Sequence, residues 1–138
     1  MTRLLCDAGI WIAAARADDV FHDASARLIG ACADRDDALG ALDLTLYEAA
    51  NVALVRSGSP EPAAQVVALI RRAAAGAIVP WNAEMLALAA DLAAAHRLSV
   101  YDAAYVATSQ ALGWPLVSTD MRDLVEPGFA IAPDQVVA

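Results

Sequence analysis

The chain has 138 residues, of which 59% are hydrophobic and 19% are charged, and its formal net charge is −8. The hydrophobic content excludes an intrinsically disordered chain, and residues 1–138 have the length of a single domain with a sizeable core. The negative charge argues against a protein that coats nucleic acid, because phosphate binding is driven by positive charge. A nuclease in which divalent cations supply the local positive charge stays open.

Cysteine usage and charge placement indicate the compartment. Cys6 and Cys32 are too few for a disulfide framework, so we expect a reducing cytoplasm. Charged residues interrupt the apolar stretches, and strand-like residues follow Arg3 at once, so neither a membrane span nor a signal peptide is expected. We expect the last few residues to fray.

Apolar runs alternate with helix-forming segments along the first half of the chain. The predicted elements are a strand at residues 3–6, a helix at 10–16, a helix from the cap Asp23 to about 35, a strand at 38–42 and a helix at 46–56. Thr45 and Glu48 have the T-x-x-E spacing of a capping box, in which two side chains satisfy free backbone N–H groups at a helix start. Gly58 is predicted to end that helix.

The second half continues the alternation. The predicted elements are a helix from Pro60 to about 75, a strand at 77–80, a helix from the cap Asn82 to 95, a helix from Ser99, a short strand ending at Val117 and an edge strand at 129–131. Ser99 and Asp102 have the spacing of a second capping box. On the helix after Asn82, Leu86 and Leu88 are among the residues expected to face the core. The alternation predicts a single α/β domain with a mainly parallel sheet and helices on both faces.

Four acids stand at the ends of predicted elements: Asp7, Glu48, Asp102 and Asp120. In a parallel sheet the strand C-termini and the starts of the following helices share one edge, so these acids can converge. Clustered carboxylates repel one another unless cations neutralise them, and a set of oxygen ligands selects hard ions such as Mg²⁺ or Mn²⁺. Such an ion can activate a water molecule for attack on a phosphodiester.

Each acid also has a purely structural interpretation. Glu48 and Asp102 fit as helix caps, Asp120 fits as a turn residue, and Asp123 fits as a solvated side chain. Asp7 is the hardest to explain in this way, because an acid that directly follows Leu-Leu-Cys is expected to be half-buried. Only the combined placement of the acids indicates a site.

Several other enzyme classes are excluded by missing residues. A receiver domain or an aspartate-nucleophile phosphatase uses a lysine near the phosphate, and all nine basic residues here are arginine. The D-x-D of such phosphatases is also absent after the first strand. The glycine motifs of dinucleotide and P-loop proteins and the G-x-S-x-G of hydrolases are absent too. His22 and His96 lack the spacing of metal ligands.

Four short motifs, in order and spacing, resemble the signatures of PIN-domain ribonucleases, and the single-domain toxins of VapBC toxin–antitoxin systems are the best match. The motifs are Cys6-Asp7-Ala8, Leu46-Tyr47-Glu48-Ala49-Ala50-Asn51-Val52, Tyr101-Asp102-Ala103-Ala104-Tyr105-Val106-Ala107 and Leu116-Val117-Ser118-Thr119-Asp120. The resemblance covers nearly the whole chain. It implies a three-layer α/β/α fold and a Mg²⁺- or Mn²⁺-dependent endoribonuclease.

The resemblance also implies roles for individual residues. Asp7, Glu48, Asp102 and Asp120 would form the catalytic acidic site, and Asp7, Asp102 and Asp120 would hold the metal. Thr119 would orient a carboxylate or water, Asp123 would be an optional fifth acid, and Asn51 would orient Glu48 or stand as an ordinary surface residue. A homodimer and a cognate antitoxin are implied, with an arginine of the antitoxin's C-terminal segment entering the acidic site. Trp11 and Tyr47 would line a partner groove or dimer face, or pack in the core.

The sequence departs from the family pattern at Gly9, where these toxins usually carry Ser or Thr. Loss of that hydroxyl leaves Asp7 intact but changes the hydrogen bonding around it, with water as one possible replacement. Three functions therefore stay open. The first is an RNA-cleaving toxin, and the second is an inactive PIN-fold subunit that works only through its protein partner. A nuclease acting on flapped or single-stranded DNA is the third, and the absence of a basic arm speaks against it.

Overall fold

The computed structural model describes residues 3–35 and 38–136, and within these residues five strands alternate with seven α-helices and one π-helix. Their bounds are β1 Leu4–Cys6, α1 Ala8–Ala15, α2 His22–Ala31, β2 Leu39–Leu42, α3 Asp43–Ser57, α4 Pro60–Ala73, β3 Ile78–Val79, α5 Ala83–His96, α6 Val100–Leu112, β4 Leu116–Val117, the π-helix Met121–Val125, β5 Ala130–Ile131 and α7 Pro133–Val136.

The five strands form one sheet in the order β3-β2-β1-β4-β5, and every pair is parallel. From β1 the chain adds β2 and β3 on one side, then returns to add β4 and β5 on the other. The order therefore reverses between β1 and β4. In open parallel sheets, the crevice beyond the strand C-termini at such a reversal is where ligands bind.

Alternate strand residues enter two separate cores on opposite faces of the sheet. Leu5, Leu42 and Leu116 pack in one core with the buried residues of α6. Cys6 follows Leu5 on β1, and Val117 follows Leu116 on β4. Both pack in the other core with α1, α2 and α4. Apolar side chains on both faces are the pattern of a parallel sheet covered by helices on each side. The predicted three-layer α/β/α fold is therefore confirmed.

Helix ends follow several of the sequence signals. Asn82 caps α5, because its side-chain oxygen accepts from the N–H of Met85 at 2.8 Å. Gly58 ends α3 with a φ of 70°. Glycine adopts this left-handed conformation without a steric penalty because it has no Cβ. No helix in residues 3–35 and 38–136 is long and apolar enough to cross a membrane.

Two predicted caps are wrong. Asp23 is the second residue of α2, and the turn before this helix is instead fixed by Asp19, whose carboxylate accepts from the N–H of Phe21 at 2.8 Å. Thr45 lies inside the first turn of α3, and its hydroxyl accepts from the N–H of Leu42 at 3.0 Å. Because this bond ties the helix directly to β2, α3 begins at Asp43 rather than at residue 46.

The core face of α5 also differs from the prediction, since Leu86 and Leu88 are exposed. The buried contact with α6 is made by small side chains, namely Ala89 and Ala93 of α5 and Ala103 and Ala107 of α6. These alanines fill the contact between the helices, and Leu86 and Leu88 lie on the exposed side of α5. Helix α7 was not predicted, and the fraying expected at the extreme C-terminus falls on residues 137–138, which lie outside the described residues.

Candidate metal centre

The acids converge at the carboxyl edge of the sheet, around the reversal between β1 and β4. Asp7 follows β1 directly, and Asp120 lies three residues after the end of β4. Glu48 lies in the second turn of α3, which begins where β2 ends. Asp102 lies in the first turn of α6, the helix that leads into β4. Strand ends and helix starts therefore bring together residues from distant parts of the chain.

Asp7 is the buried member of the group, with 8% of its surface exposed. It caps α1, and one of its carboxylate oxygens, Oδ1, accepts from the N–H of Ile10 at 3.3 Å. The other oxygen, Oδ2, accepts a short hydrogen bond from the Ser118 hydroxyl. Burial raises the pKa of Asp7 to about 7, with smaller upward contributions from the Asp102 and Glu48 charges. The two hydrogen bonds fix the position of this carboxyl and favour its ionised form, but burial outweighs them and leaves the pKa raised.

Ser118 joins Asp7 to the acids that follow β4. It is fully buried, donates to Asp7, and accepts at its own oxygen from the N–H of Asp120 at 2.9 Å. Asp120 in turn caps the π-helix, where its Oδ1 accepts from the N–H of Asp123 at 3.0 Å. One buried hydroxyl therefore sets the position of Asp7 relative to the backbone that carries Asp120 and Asp123.

Asp102, Asp120 and Asp123 form a metal-sized group that we call the acidic trio. Each offers one carboxylate oxygen, and these oxygens all lie within 4.8 Å of one another. Opposite ligands of an octahedral Mg²⁺ lie about 4 Å apart, so small side-chain movements suffice to place these oxygens around one ion. An oxygen-only donor set fits Mg²⁺ or Mn²⁺ rather than softer metals.

The electrostatics of the trio favour a cation. Partial burial raises the pKa of Asp102, and the Asp120 and Asp123 charges raise it further. In the part of the chain that the structure describes, the only ion pair of the trio joins Arg122 Nε to Asp123 Oδ1 at 3.2 Å. Exposed pairs of this kind contribute little. A bound divalent ion would relieve the repulsion that remains.

Glu48 is held by a chain of hydrogen bonds through two hydroxyls. The Tyr105 hydroxyl donates to Glu48 Oε1 at 2.7 Å and lies 2.8 Å from the Thr45 hydroxyl oxygen. Because Tyr105 gives its only proton to Glu48, Thr45 is the donor between these two hydroxyls. Burial raises the pKa of Tyr105, which keeps it protonated as a donor. The N–H of Leu42 completes the chain by donating to Thr45.

The structure brings the predicted acids to one edge of the sheet, but only Asp102 and Asp120 belong to the trio. Asp7 and Glu48 lie outside it. Asp123, which was an optional candidate, lies in the trio with Asp102 and Asp120, whereas Asp7 is hydrogen-bonded beside them. Burial raises the pKa of Glu48, and the Asp102 charge adds to the rise. Asn51 is exposed and makes no side-chain hydrogen bond to Glu48 among the described residues.

Sequence reasoning missed Ser118, Tyr105 and Thr45 as supporting residues. Ser118 stood in the strand-end motif, but only Thr119 beside it was given a positioning role. Tyr105 lies one helical turn after Asp102, a spacing that places the two side chains on neighbouring positions of α6. A tyrosine one helical turn after a candidate acid was the signal that the sequence offered for this residue.

Comparison with known proteins identifies relatives of this fold. The sequence model of the PIN domain family matches residues 4–128. No curated protein shows significant similarity to the chain.

Three solved structures are similar over nearly the whole chain. A Mycobacterium tuberculosis protein, VapC20, described as a sarcin-ricin loop cleaving toxin, has a TM-score of 0.75 at 20% identity, covering 92% of this chain and 96% of its own. PAE2754 from Pyrobaculum aerophilum has a TM-score of 0.68 at 23% identity, covering 99% and 94%. A toxin–antitoxin complex from Klebsiella pneumoniae has a TM-score of 0.65 at 16% identity, covering 94% and 97%.

Proposed function

The chain belongs to the PIN domain family, a family of nucleases, and from this premise we propose that it is a Mg²⁺- or Mn²⁺-dependent endoribonuclease and the toxin of a toxin–antitoxin pair. The observation that carries the proposal is the acidic trio, three carboxylate oxygens within 4.8 Å beside the buried Asp7. The carboxylates lie together at this edge of a nuclease fold, and few positively charged side chains of the protein neutralise them. Such a site can bind a divalent ion, which in turn can bind a phosphodiester.

We assign the metal to Asp102 and Asp120, with Asp7 and Asp123 completing the shell, and Glu48 to the catalytic acidic site. When bound, the ion supplies Lewis acidity for an attack of water on phosphorus. The chain's own groups fix the geometry of that attack. Ser118 holds Asp7 against the backbone of Asp120, and Tyr105 holds one oxygen of Glu48. Hydrolysis forms a bond from the water oxygen to phosphorus, breaks one P–O bond of the RNA backbone, and transfers a proton of the water to the departing oxygen.

RNA as the substrate class is supported by the description of VapC20 as a toxin that cleaves the sarcin-ricin loop. The chain's net charge of −8 gives little general attraction to phosphates, so binding depends on the ion and on a few arginines. Such a protein is expected to cleave few RNA sites rather than degrade RNA generally. Action on RNA also implies a cytoplasmic protein, with which the free, buried Cys6 and Cys32 are compatible.

An antitoxin partner is supported by the structural likeness to a toxin–antitoxin complex. A groove of about 430 Å³ runs between α1, α3 and α4, and its apolar walls include Ile12, Val52 and Leu69. We propose that the apolar part of an antitoxin segment lies here and that an arginine at its end pairs with the acidic trio. Trp11 is not a groove residue, because it is fully buried and donates from its ring to the carbonyl of Cys6.

A homodimer is proposed through a second apolar surface. Tyr47, Trp81 and Tyr101 are 63% to 79% exposed and surround a cleft of about 370 Å³ between α3, α5 and α6. Clustered exposed aromatics mark interaction surfaces on soluble domains. Trp81→Ala should shift the protein from dimer to monomer in sedimentation analysis. Val20→Ala, which trims an exposed apolar residue outside the cleft, serves as the matched control.

The test of the proposed activity is cleavage of a set of structured and single-stranded RNAs by the purified protein. Mn²⁺ or Mg²⁺ should support cleavage, a chelator should stop it, and Asp102→Asn should abolish it. The same assay on single-stranded DNA separates an RNA nuclease from a DNA nuclease. A wild-type protein that binds no metal and cleaves no nucleic acid would contradict the proposal and favour an inactive, partner-binding subunit.

A further inference from the structure

The groove between α1, α3 and α4 carries a charge opposite to that of the whole protein. The chain has 17 acidic and 9 basic residues, so most charged residues on any surface are expected to be acidic. The charged residues that line the groove are instead Arg16, Arg56 and Arg72, and no acid within residues 3–35 and 38–136 lines it. The groove is therefore a positively charged surface on an acidic protein.

Two of these arginines lie at the end of the groove that is remote from the acidic trio. Helices α1 and α3 both begin at the carboxyl edge of the sheet, and Arg16 directly follows the last residue of α1. On α3 the lining residues run from Ala49, next to Glu48, to Arg56 and Ser57. Arg56 lies about 12 Å beyond Glu48 along the helix axis, because an α-helix rises about 1.5 Å per residue. The groove thus leads from the acids at one end to two arginines at the other.

At that remote end, Arg16 already binds a carboxylate of the chain itself. It donates from Nε to Asp18 Oδ1 at 3.2 Å and from Nη2 to Asp18 Oδ2 at 3.0 Å. The hydrogen bond and charge of Arg16 lower the pKa of Asp18, and the Arg56 charge contributes less. One carboxylate at this point therefore interacts with both arginines. Because the Asp18 side chain is 74% exposed, the pair contributes little, and a carboxylate of a partner can replace it.

The middle of the groove favours a peptide over RNA. Its walls include the half-buried Ile12, Val52 and Leu69, and the buried Val66 lies beneath them. An RNA strand carries a phosphate at every nucleotide and needs positive charge along its whole path. An amphipathic helix instead places apolar side chains into a groove of this kind.

We propose that the groove binds a partner helix with acidic side chains near its N-terminus, apolar side chains in its middle and an arginine near its C-terminus. The acidic side chains pair with Arg16 and Arg56, and the arginine reaches the carboxylates at the sheet edge. This order also suits the dipole of the bound helix. The inference rests on the proposed antitoxin partner, and it adds which charges the bound segment carries, in which order, and about eight helical residues apart.

The test measures the binding of labelled synthetic peptides to the full chain by fluorescence anisotropy. One helix-forming peptide carries glutamates near its N-terminus, leucines along one face and an arginine about eight residues later. A matched peptide has glutamine in place of the glutamates. The glutamate peptide should bind about 10-fold more tightly at low salt, and the difference should shrink as the salt concentration rises.

Variants of the protein locate the pairing. Arg56→Gln should remove most of the advantage of the glutamate peptide and leave binding of the glutamine peptide unchanged. Arg71→Gln is the matched control, because Arg71 precedes Arg72 on α4 but is not among the lining residues of the groove. Asp18→Asn should strengthen binding of the glutamate peptide, because it removes the competing carboxylate. Arg56→Glu should bind a peptide with lysine in place of the glutamates more tightly than the wild-type protein does.

Several outcomes would overturn the inference. They are no binding of the glutamate peptide, equal affinities for the glutamate and glutamine peptides, and equal effects of Arg56→Gln and Arg71→Gln. A single-stranded RNA that binds more tightly than the peptide, and loses this binding in Arg56→Gln, would overturn it in favour of a nucleic-acid surface. The proposed nuclease activity is judged separately, by metal-dependent RNA cleavage without any peptide, so its failure and the failure of this inference are distinguishable.

Discussion

Ser118 is the residue on which the relative placement of the acids depends most. Its hydroxyl serves as donor to Asp7 and as acceptor for the N–H of Asp120, so one buried oxygen connects the ends of β1 and β4. Its partner Asp7 lies 111 residues away in the sequence. No local pattern reports such a contact, which is why the sequence indicated that the acids converge but did not indicate what fixes them.

We predict that Ser118→Ala lowers both Mn²⁺ affinity and RNA cleavage by about 10- to 100-fold, the usual effect of removing support from a metal site. It also leaves a buried carboxyl without its donor, which should lower stability by about 1–3 kcal/mol. Ser25→Ala is the matched control, because the Ser25 hydroxyl is buried without a partner among the described residues. That variant should be neutral or stabilising. Equal effects of the two substitutions on cleavage would contradict the role of Ser118.

Tyr105 gives a second prediction at this scale. Tyr105→Phe removes the donor to Glu48, whose pKa is already raised by burial, so that pKa should rise further. If ionised Glu48 is needed for cleavage, the acidic limb of the pH–rate profile should move to higher pH, with little change at alkaline pH. A profile that is scaled down without any shift would show that the tyrosine acts only in packing.

At the scale of elements, the sequence predicted most strands and helices because short apolar runs and helix-start residues mark them locally. All five strands were expected within two residues of their observed positions. The main errors have tertiary causes. Helix α3 begins early because Thr45 bonds back to β2, and the alanine contact between α5 and α6 leaves Leu86 exposed. The π-helix, which places Asp123 beside Asp120, has no pattern that local reasoning could use.

At the start of α6, one residue caps the helix and another belongs to the acidic trio. The Ser99 hydroxyl accepts from the N–H of Asp102 at 3.0 Å, so the helix has a cap that does not require the Asp102 charge. We predict that Asp102→Asn abolishes cleavage and leaves Tm unchanged or higher in the metal-free protein, because one repelling charge is gone.

Ser99→Ala should behave in the opposite way, with about 1 kcal/mol of stability lost and metal binding retained. Thermal melts and Mn²⁺ titrations of both variants make the comparison. Unfolding of Asp102→Asn would instead assign this acid a structural role at the helix start.

At the scale of the whole molecule, the buried acids predict a pH dependence of stability in the metal-free protein. The pKa of Asp7 is raised from 3.8 to about 7 on folding, so the folded chain holds this proton more tightly than the unfolded chain. The stability from that proton is complete below pH 3.8 and is lost as the pH rises toward 7. The raised pKa values of Glu48 and Asp102 act in the same direction.

Tm of the metal-free protein should therefore fall by about 5 °C or more between pH 5 and pH 8. Added Mn²⁺ should remove most of this loss at pH 8, since it binds the ionised carboxylates of the folded state. Asp7→Asn should flatten the dependence in the metal-free protein. A Tm that rises from pH 5 to pH 8 without metal would contradict the burial of an ionisable Asp7.

The central claim is that the acidic trio holds a divalent ion needed for RNA cleavage. Calorimetric titration of Mn²⁺ into the wild-type protein and Asp120→Asn, with RNA cleavage assayed on the same samples, tests it most directly. Asp91→Asn, at an exposed acid on α5, is the charge-matched control. We predict that binding and cleavage are both lost in Asp120→Asn and kept in Asp91→Asn. Undiminished Mn²⁺ binding in Asp120→Asn, or none in the wild-type protein, would contradict the claim.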